Sequence, residues 1–432
     1  MRRSLLFFGL RIGSTVLATA WSFLLTYTLV RLIGLQDYAF LATVIAFASL
    51  VLQADLGISI RLFARMRQNF LDPESGSRED LRSAVATALW GYAGAAALIT
   101  IVFAVSLWIW NLGPVEHRFA IVLLFAGSVL PLPWMVLRVA VNAFDHYVVT
   151  EAIDFTRRAA LLALTGALAF GLPLLAYTIG FLLLWMAALL ALFLLAQRRI
   201  DLFSGISLQR GWQVLRADAA SLVASAGLSV SDFLIYIFPY YVILLTHAEA
   251  AALVAFDMFY KVTRFGVTAY LTVTETMLPH QTRAYHTGQF RTLVRMTALS
   301  SLLCSMPCIA GAGIIFFFGE WFFSTLLGHP NIVSPHLRLA ICAMLICMVV
   351  KTVSGAVLVG VGELPPLARR ASLTLMAMLV FSLVSSLAGW NIDAFLAGYV
   401  FLYACQALSY LLLLPKVFQR AKLAVPAAAQ PV

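Results

Sequence analysis

Six polar side chains on one stretch of this 432-residue chain are placed to do chemistry together: Asp257, Lys261, Arg264, Thr268, Thr272 and Glu275. Their steps of 4, 3, 4, 4 and 3 residues put them on one face of a helix. At 1.5 Å per residue the stripe is about 27 Å long, most of the thickness of a bilayer core. The flanking residues are strongly apolar, so the helix reads as membrane-spanning, and lipid does not tolerate such a face. It must meet protein or water. Two readings stand: the wall of a wet cavity, or an Asp257–Lys261–Arg264 ion network that braces a helix bundle.

A second stripe, Ser221, Ser225, Ser229, Asp232, Tyr236 and Tyr240, lies on the preceding apolar segment. Its serines suit close helix packing, whereas Asp232 lies well inside the span. Lys351, in a later span, is a further intramembrane cation, and a satisfied structural lysine is the alternative. Asp55, followed by Arg61 and Arg65, sits where a span ends. It is expected to bond the start of the next segment or pair with an arginine, a structural or gating role. Asp232, Asp257 and Glu275 are the carboxylates that would carry a coupling proton or sodium ion. Lys261, Arg264 and Lys351 suit an anionic ligand, as point charges or bidentate donors.

Other chemistries lack their residues. There is no Gly-Lys pair, hence no phosphate-binding loop of the Walker type and no ATP-driven pump within the chain. Neither a nucleophile elbow nor His-Glu-x-x-His occurs. The seven histidines form no metal pair, and the five cysteines, Cys304, Cys308, Cys342, Cys347 and Cys405, lie in apolar spans without zinc spacing. No cofactor, metal or nucleic-acid partner is implied, and the expectation is a non-enzyme.

The elements that must hold these residues follow from composition. Hydrophobic residues make up 62% of the chain and charged residues 11%, too apolar and too uncharged for a soluble core. Twelve spans are expected near 12–33, 38–60, 84–110, 119–141, 156–172, 174–196, 219–245, 249–273, 293–318, 337–360, 371–389 and 394–414. The stretch Ile206–Leu215, with Trp212, fits either a surface-lying amphipathic helix or an ordinary basic loop. Most of the 29 Lys and Arg residues, including Arg11, Arg138, Arg157 and Arg158, fall on one side of these spans. The positive-inside rule makes that side, and both termini, cytoplasmic. The net charge of +10 is therefore largely topological. Two halves of six spans, 1–205 and 206–432, are expected to be related by an axis along the membrane normal. Asp37 and Glu249 begin corresponding spans.

Four stretches carry a family resemblance: Leu35–Arg65 with its Asp55-Leu56-Gly57; Asp232 followed by the turn Thr246–Glu249 and the span after it; Leu278-Pro279 before a basic loop; and Phe318-Gly319. In order and spacing the chain resembles the Wzx-type polysaccharide flippases of the multidrug/oligosaccharidyl-lipid/polysaccharide (MOP) exporter superfamily. The resemblance implies an all-α polytopic membrane protein with two six-helix lobes in a V around an alternately opening cavity. It implies an undecaprenyl-pyrophosphate-linked oligosaccharide as substrate, the cell inner membrane as location, and a polysaccharide polymerase or ligase as a possible partner. A multidrug antiporter of the same superfamily would favour an acid-dominated cavity. A membrane glycosyltransferase or O-antigen polymerase would need a large outer loop, and 319–336 is short.

Overall fold

The computed structural model describes residues 2–55, 58–71, 77–201, 204–217, 219–246 and 249–423. The side chains of Ser221, Ser225 and Ser229 lie outside the described set. Among the described residues there are helices and no strand. That is the outcome expected of long apolar segments in lipid, where a helix satisfies every backbone group internally.

The chain divides into two compact units, Met1–Val230 and Ser231–Val432. The first holds α1 (Arg2–Val51), α2 (Ile58–Leu71), α3 (Arg78–Ile109), α4 (Arg118–Val129), α5 (Pro131–Ala143), α6 (Tyr147–Ala169), α7 (Leu174–Ile200) and α8 (Leu208–Ala217). The second holds most of α9 (Ala219–Thr246), then α10 (Ala250–His286), α11 (Phe290–Leu327), α12 (Pro335–Gly360), α13 (Leu364–Leu387), α14 (Ile392–Leu411) and α15 (Leu414–Leu423).

Eight described helical segments are long and apolar enough to cross a membrane. The first of them is 43 residues long and breaks at Gly34 (φ 80°, ψ 170°). That backbone region is essentially reserved for glycine, so the break gives two spans. α4 and α5 form one span divided at Pro131, since a proline ring cannot continue the hydrogen-bond ladder. α6, α9 and α10 complete the set: each unit has six spanning segments. α6 and α10 are less apolar than the others because they carry charge inside.

Sequence-local signals set the ends. Ser77 caps α3 by accepting from Asp80 N, Ser334 caps α12 through Leu337 N, and Asn391 caps α14 through Ala394 N. Gly328 closes α11 in the left-handed conformation. The fifth span starts at Tyr147 rather than near 156. Its charged first turns hide it from a hydropathy scan but pair with one another inside the unit. The stretch at 206–215 is the helix α8, with Trp212 exposed. A Cβ on its Gly211 would lie 2.2 Å from Ser83 O and 2.1 Å from Thr87 Oγ1, so only glycine lets α8 rest this closely on α3.

Candidate functional site

The intramembrane charges of the second unit are gathered by α9, α10, α12 and α14. Asp232 on α9 accepts from Lys351 Nζ on α12 at 2.9 Å and from Gln406 Nε2 on α14 at 3.0 Å. Lys351 is buried, 7% exposed, and Gln406 is buried at 1%. The ammonium lies 5.2 Å from the ring centre of Tyr403, 5.6 Å from Tyr236 and 6.0 Å from Tyr410. Three electron-rich faces and one carboxylate therefore replace the water that a lysine loses on burial. Tyr236 and Tyr403 share a hydroxyl–hydroxyl hydrogen bond of 2.6 Å. Gln406 Oε1 is buried without a hydrogen-bond partner.

One turn along α9, Tyr240 donates to Asp257 Oδ1 at 2.6 Å, and Lys261 Nζ donates to Asp257 Oδ2 at 2.6 Å. Asp257 is 3% exposed. The Asp257–Lys261 pair is an i,i+4 pair on α10, with the acid N-terminal to the base, the favourable order. Arg264 stands apart from this pair. It is exposed, donates to the Tyr260 hydroxyl and lies 5.7 Å from that ring's centre. Farther along, Thr268 donates to Arg264 O at 2.9 Å and Thr272 to Thr268 O at 3.0 Å. Glu275 is exposed near the far end of the stripe. The stripe therefore divides: its first part is ion-paired within the protein, and beyond it Arg264 and Glu275 are exposed while Thr268 and Thr272 are half-buried.

The first unit contains a charge network that sequence reading missed. α6 presents Glu151, Asp154, Arg157 and Arg158 at helical spacing. Glu151 and Asp154 are buried. Arg138 on α5 reaches Glu151 at 2.7 Å and Arg11 on α1 reaches it at 3.6 Å. Asp154 is bound by Arg157, by Arg158 at 2.9 Å and by Ser14 Oγ at 3.3 Å. Arg157 also stacks on Trp185, 3.6 Å from the ring centre. Four arginines thus face two carboxylates. Arg157 is buried within α6. The i, i+3, i+6, i+7 spacing of Glu151-Asp154-Arg157-Arg158 was the available signal, since it places acids and bases on one face.

Asp55 is buried and receives Ser59 N at 3.2 Å, Ser59 Oγ at 2.5 Å and the Tyr92 hydroxyl at 3.0 Å. It bonds the first turn of α2, while Arg61 is exposed on that helix. The five cysteines are free thiols, and no group of three metal-ligating side chains occurs among the described residues.

No family profile matches the sequence, and no curated protein matches it. Solved structures do. A mutant of the Vibrio cholerae MATE transporter VcmN matches with a TM-score of 0.63 at 12% identity, over 97% of this chain and 98% of that one. An inward-facing multidrug resistance MATE family transporter of the MOP superfamily matches at 0.63 and 13% identity, over 98% and 100%. A MOP superfamily transporter from Pyrococcus furiosus, described as having a binding pocket of reversed polarity that suggests a different function, matches at 0.63 and 14% identity, over 97% and 96%. At these identities the likeness is one of fold: the chain is an all-α, multi-pass membrane protein with the MATE transporter fold.

Proposed function

We propose that the chain is a flippase that moves an undecaprenyl-pyrophosphate-linked oligosaccharide across the cell inner membrane by alternating access, with both termini cytoplasmic. A sugar headgroup cannot enter hydrocarbon without losing its hydrogen bonds to water, so a protein face must replace them. The observation that carries the reading is Arg264, an exposed guanidinium in the spanning helix α10, on the same face as the half-buried Thr268 and Thr272 and the exposed Glu275. In a bilayer such a group is stable only against water or an anion. A diphosphate has the geometry for bidentate contact with it.

The two lysines would act later. Lys261 and Lys351 are held by Asp257 and Asp232. Drawing Lys261 onto the diphosphate would free the buried Asp257, and drawing Lys351 would free the half-buried Asp232; the freed carboxylate would then take up a proton or a sodium ion. Substrate and coupling ion would thereby be linked. No covalent bond is made or broken. A polymerase or ligase would receive the product on the far side.

The test is flipping of a polyprenyl-diphosphate glycan in proteoliposomes. The Lys261→Ala/Arg264→Ala/Lys351→Ala variant is expected to lose translocation. Arg264→Lys, which keeps charge but not the bidentate fork, should lose part of it while melting as the wild type does. Intact flipping by the triple variant overturns the assignment. A second reading, an ion-coupled multidrug antiporter, is favoured by Asp232, whose side chain stays 31% exposed beside its lysine and offers a carboxylate to an organic cation. Uptake of a cationic dye that is lost in Asp232→Asn and unaffected in Arg264→Ala would select it.

A further inference from the structure

A separate feature of the second unit points to a bilayer lipid. A slot of about 410 Å³ lies between α11, α12, the end of α14 and α15, with no charged residue among those that line it. Its walls include Val294, Thr297, Ser301, Val353, Leu411 and Phe418. The hydroxyls on α11 do not make it polar: Thr297, Ser301 and Ser305 each donate to the carbonyl four residues back, at 2.8–3.0 Å. What faces the slot is mostly hydrocarbon.

Its length and its rim say what fits. From Val294 to Ser305 the slot follows α11 for about 16 Å, close to half of a hydrocarbon core about 30 Å thick. That is the depth of one leaflet, the reach of one acyl chain. The outer end is closed by α15, an amphipathic helix. Its Ala421 is buried with Ala284 and Leu293, and its Phe418 meets Phe290 edge-on at 6.4 Å. The rim is basic. Arg291 and Arg295 on the first turns of α11, and Lys416, Arg420 and Lys422 on α15, are all exposed. Arg420 pairs with Glu363. An apolar slot one leaflet deep beneath a cluster of Lys and Arg matches the chemistry of an anionic lipid headgroup with its chain below.

We infer that this is a binding site for an anionic phospholipid of the bilayer, one acyl chain in the slot and its phosphate on the α11–α15 rim. A polyprenyl chain runs well past a slot of one-leaflet depth, so a phospholipid acyl chain fits it better than a polyprenyl lipid does. The inference is independent of the transport reading.

The experiment uses the purified full-length chain in an uncharged detergent. Native mass spectrometry and thermal melting are followed on titration with phosphatidylglycerol, with phosphatidylcholine of identical chains, and with undecaprenyl diphosphate. Phosphatidylglycerol should bind saturably and raise the melting temperature, and phosphatidylcholine should do neither. Arg291→Gln/Arg295→Gln/Lys416→Gln, which alters only exposed residues, should weaken phosphatidylglycerol binding by about ten-fold or more, with unchanged melting in lipid-free detergent. Ser301→Phe, which fills the slot, should abolish the response. Equal responses to the two phospholipids, wild-type binding by the rim variant, or competition at this site by undecaprenyl diphosphate in preference to phosphatidylglycerol would each overturn the inference.

Discussion

Removing Lys351 tests whether the charges of the second unit brace the bundle or serve a ligand. The Lys351→Met substitution keeps most of the buried volume and deletes the ammonium. Asp232 then retains only the Gln406 amide at 3.0 Å. Breaking a buried pair costs about 3–5 kcal/mol when one charge is left uncompensated. Asp232 is 31% exposed on its side chain and Lys351 9%, so the lower half of that range applies. Loss of the three tyrosine faces around the ammonium adds about 1 kcal/mol. The expected destabilisation is therefore about 4–5 kcal/mol. Asp232→Asn/Lys351→Met removes both charges and keeps a carbonyl to accept from Gln406, so it should be milder than Lys351→Met alone. The double-mutant cycle should show a coupling of about 2–3 kcal/mol. Reversible unfolding in mixed micelles reads these values. Additive effects within about 0.5 kcal/mol would refute the electrostatic account of the pair. Transport then separates the two roles. A brace predicts that the charge-cancelled double variant, once stable, moves substrate normally. A substrate or coupling site predicts a folded protein that does not.

Three further outcomes follow from the same physics. Arg157→Ala removes one of two arginines from Asp154 and the stacking on Trp185; it should destabilise by about 3 kcal/mol in thermal melts, and Arg157→Lys should recover less than half. Gly34→Ala forces a Cβ into φ 80°, ψ 170° at a cost of about 1–3 kcal/mol, read as a lower melting temperature; the cost is purely one of backbone strain, because the added methyl would point into open space with nothing within 4 Å. A single reactive cysteine placed at Arg61 should label from the cytoplasmic face of sealed vesicles only; labelling from the opposite face inverts the proposed topology.

Most spans were legible because they are long apolar runs, and lipid leaves a helix as the only open-chain solution. Lys351 and Asp232 were visible as charges inside such runs. Their pairing was not, because α9 and α12 are distant in sequence and only packing brings the two atoms to 2.9 Å. The α6 network was hidden for the opposite reason. Arg157 and Arg158 stand next to a span edge as judged by hydropathy, and a positive charge there is indistinguishable from a topological one. Only the partners Ser14, Arg11 and Arg138, contributed by other helices, reveal that the helix continues through its charged turns. Gln406 and the tyrosines 403 and 410 were missed because neutral polar residues at helical spacing in a span usually serve packing.

The three cations of the second unit differ in what a ligand must overcome to use them, and this orders their roles. Lys351 lies in a cage of three rings with a carboxylate 2.9 Å away, and Lys261 lies 2.6 Å from Asp257. Each is electrically neutralised, so an incoming anion competes with an aspartate and gains only the difference. Arg264 has a neutral phenol as its partner, and among the described residues no carboxylate forms an ion pair with it. Its full charge is available at the exposed surface of α10. A diphosphate would therefore meet Arg264 first and reach the lysines only if their aspartates are neutralised by an ion. On the proposed reading, affinity for the anion depends on Arg264 at any sodium concentration. Dependence on Lys351 should appear only when sodium occupies Asp232. Binding measured against sodium in Arg264→Ala and in Lys351→Met should thus differ in shape: a uniform loss in the first, and a loss confined to the sodium-rich limb in the second. Identical profiles for the two variants would mean that the charges act as one undivided cluster.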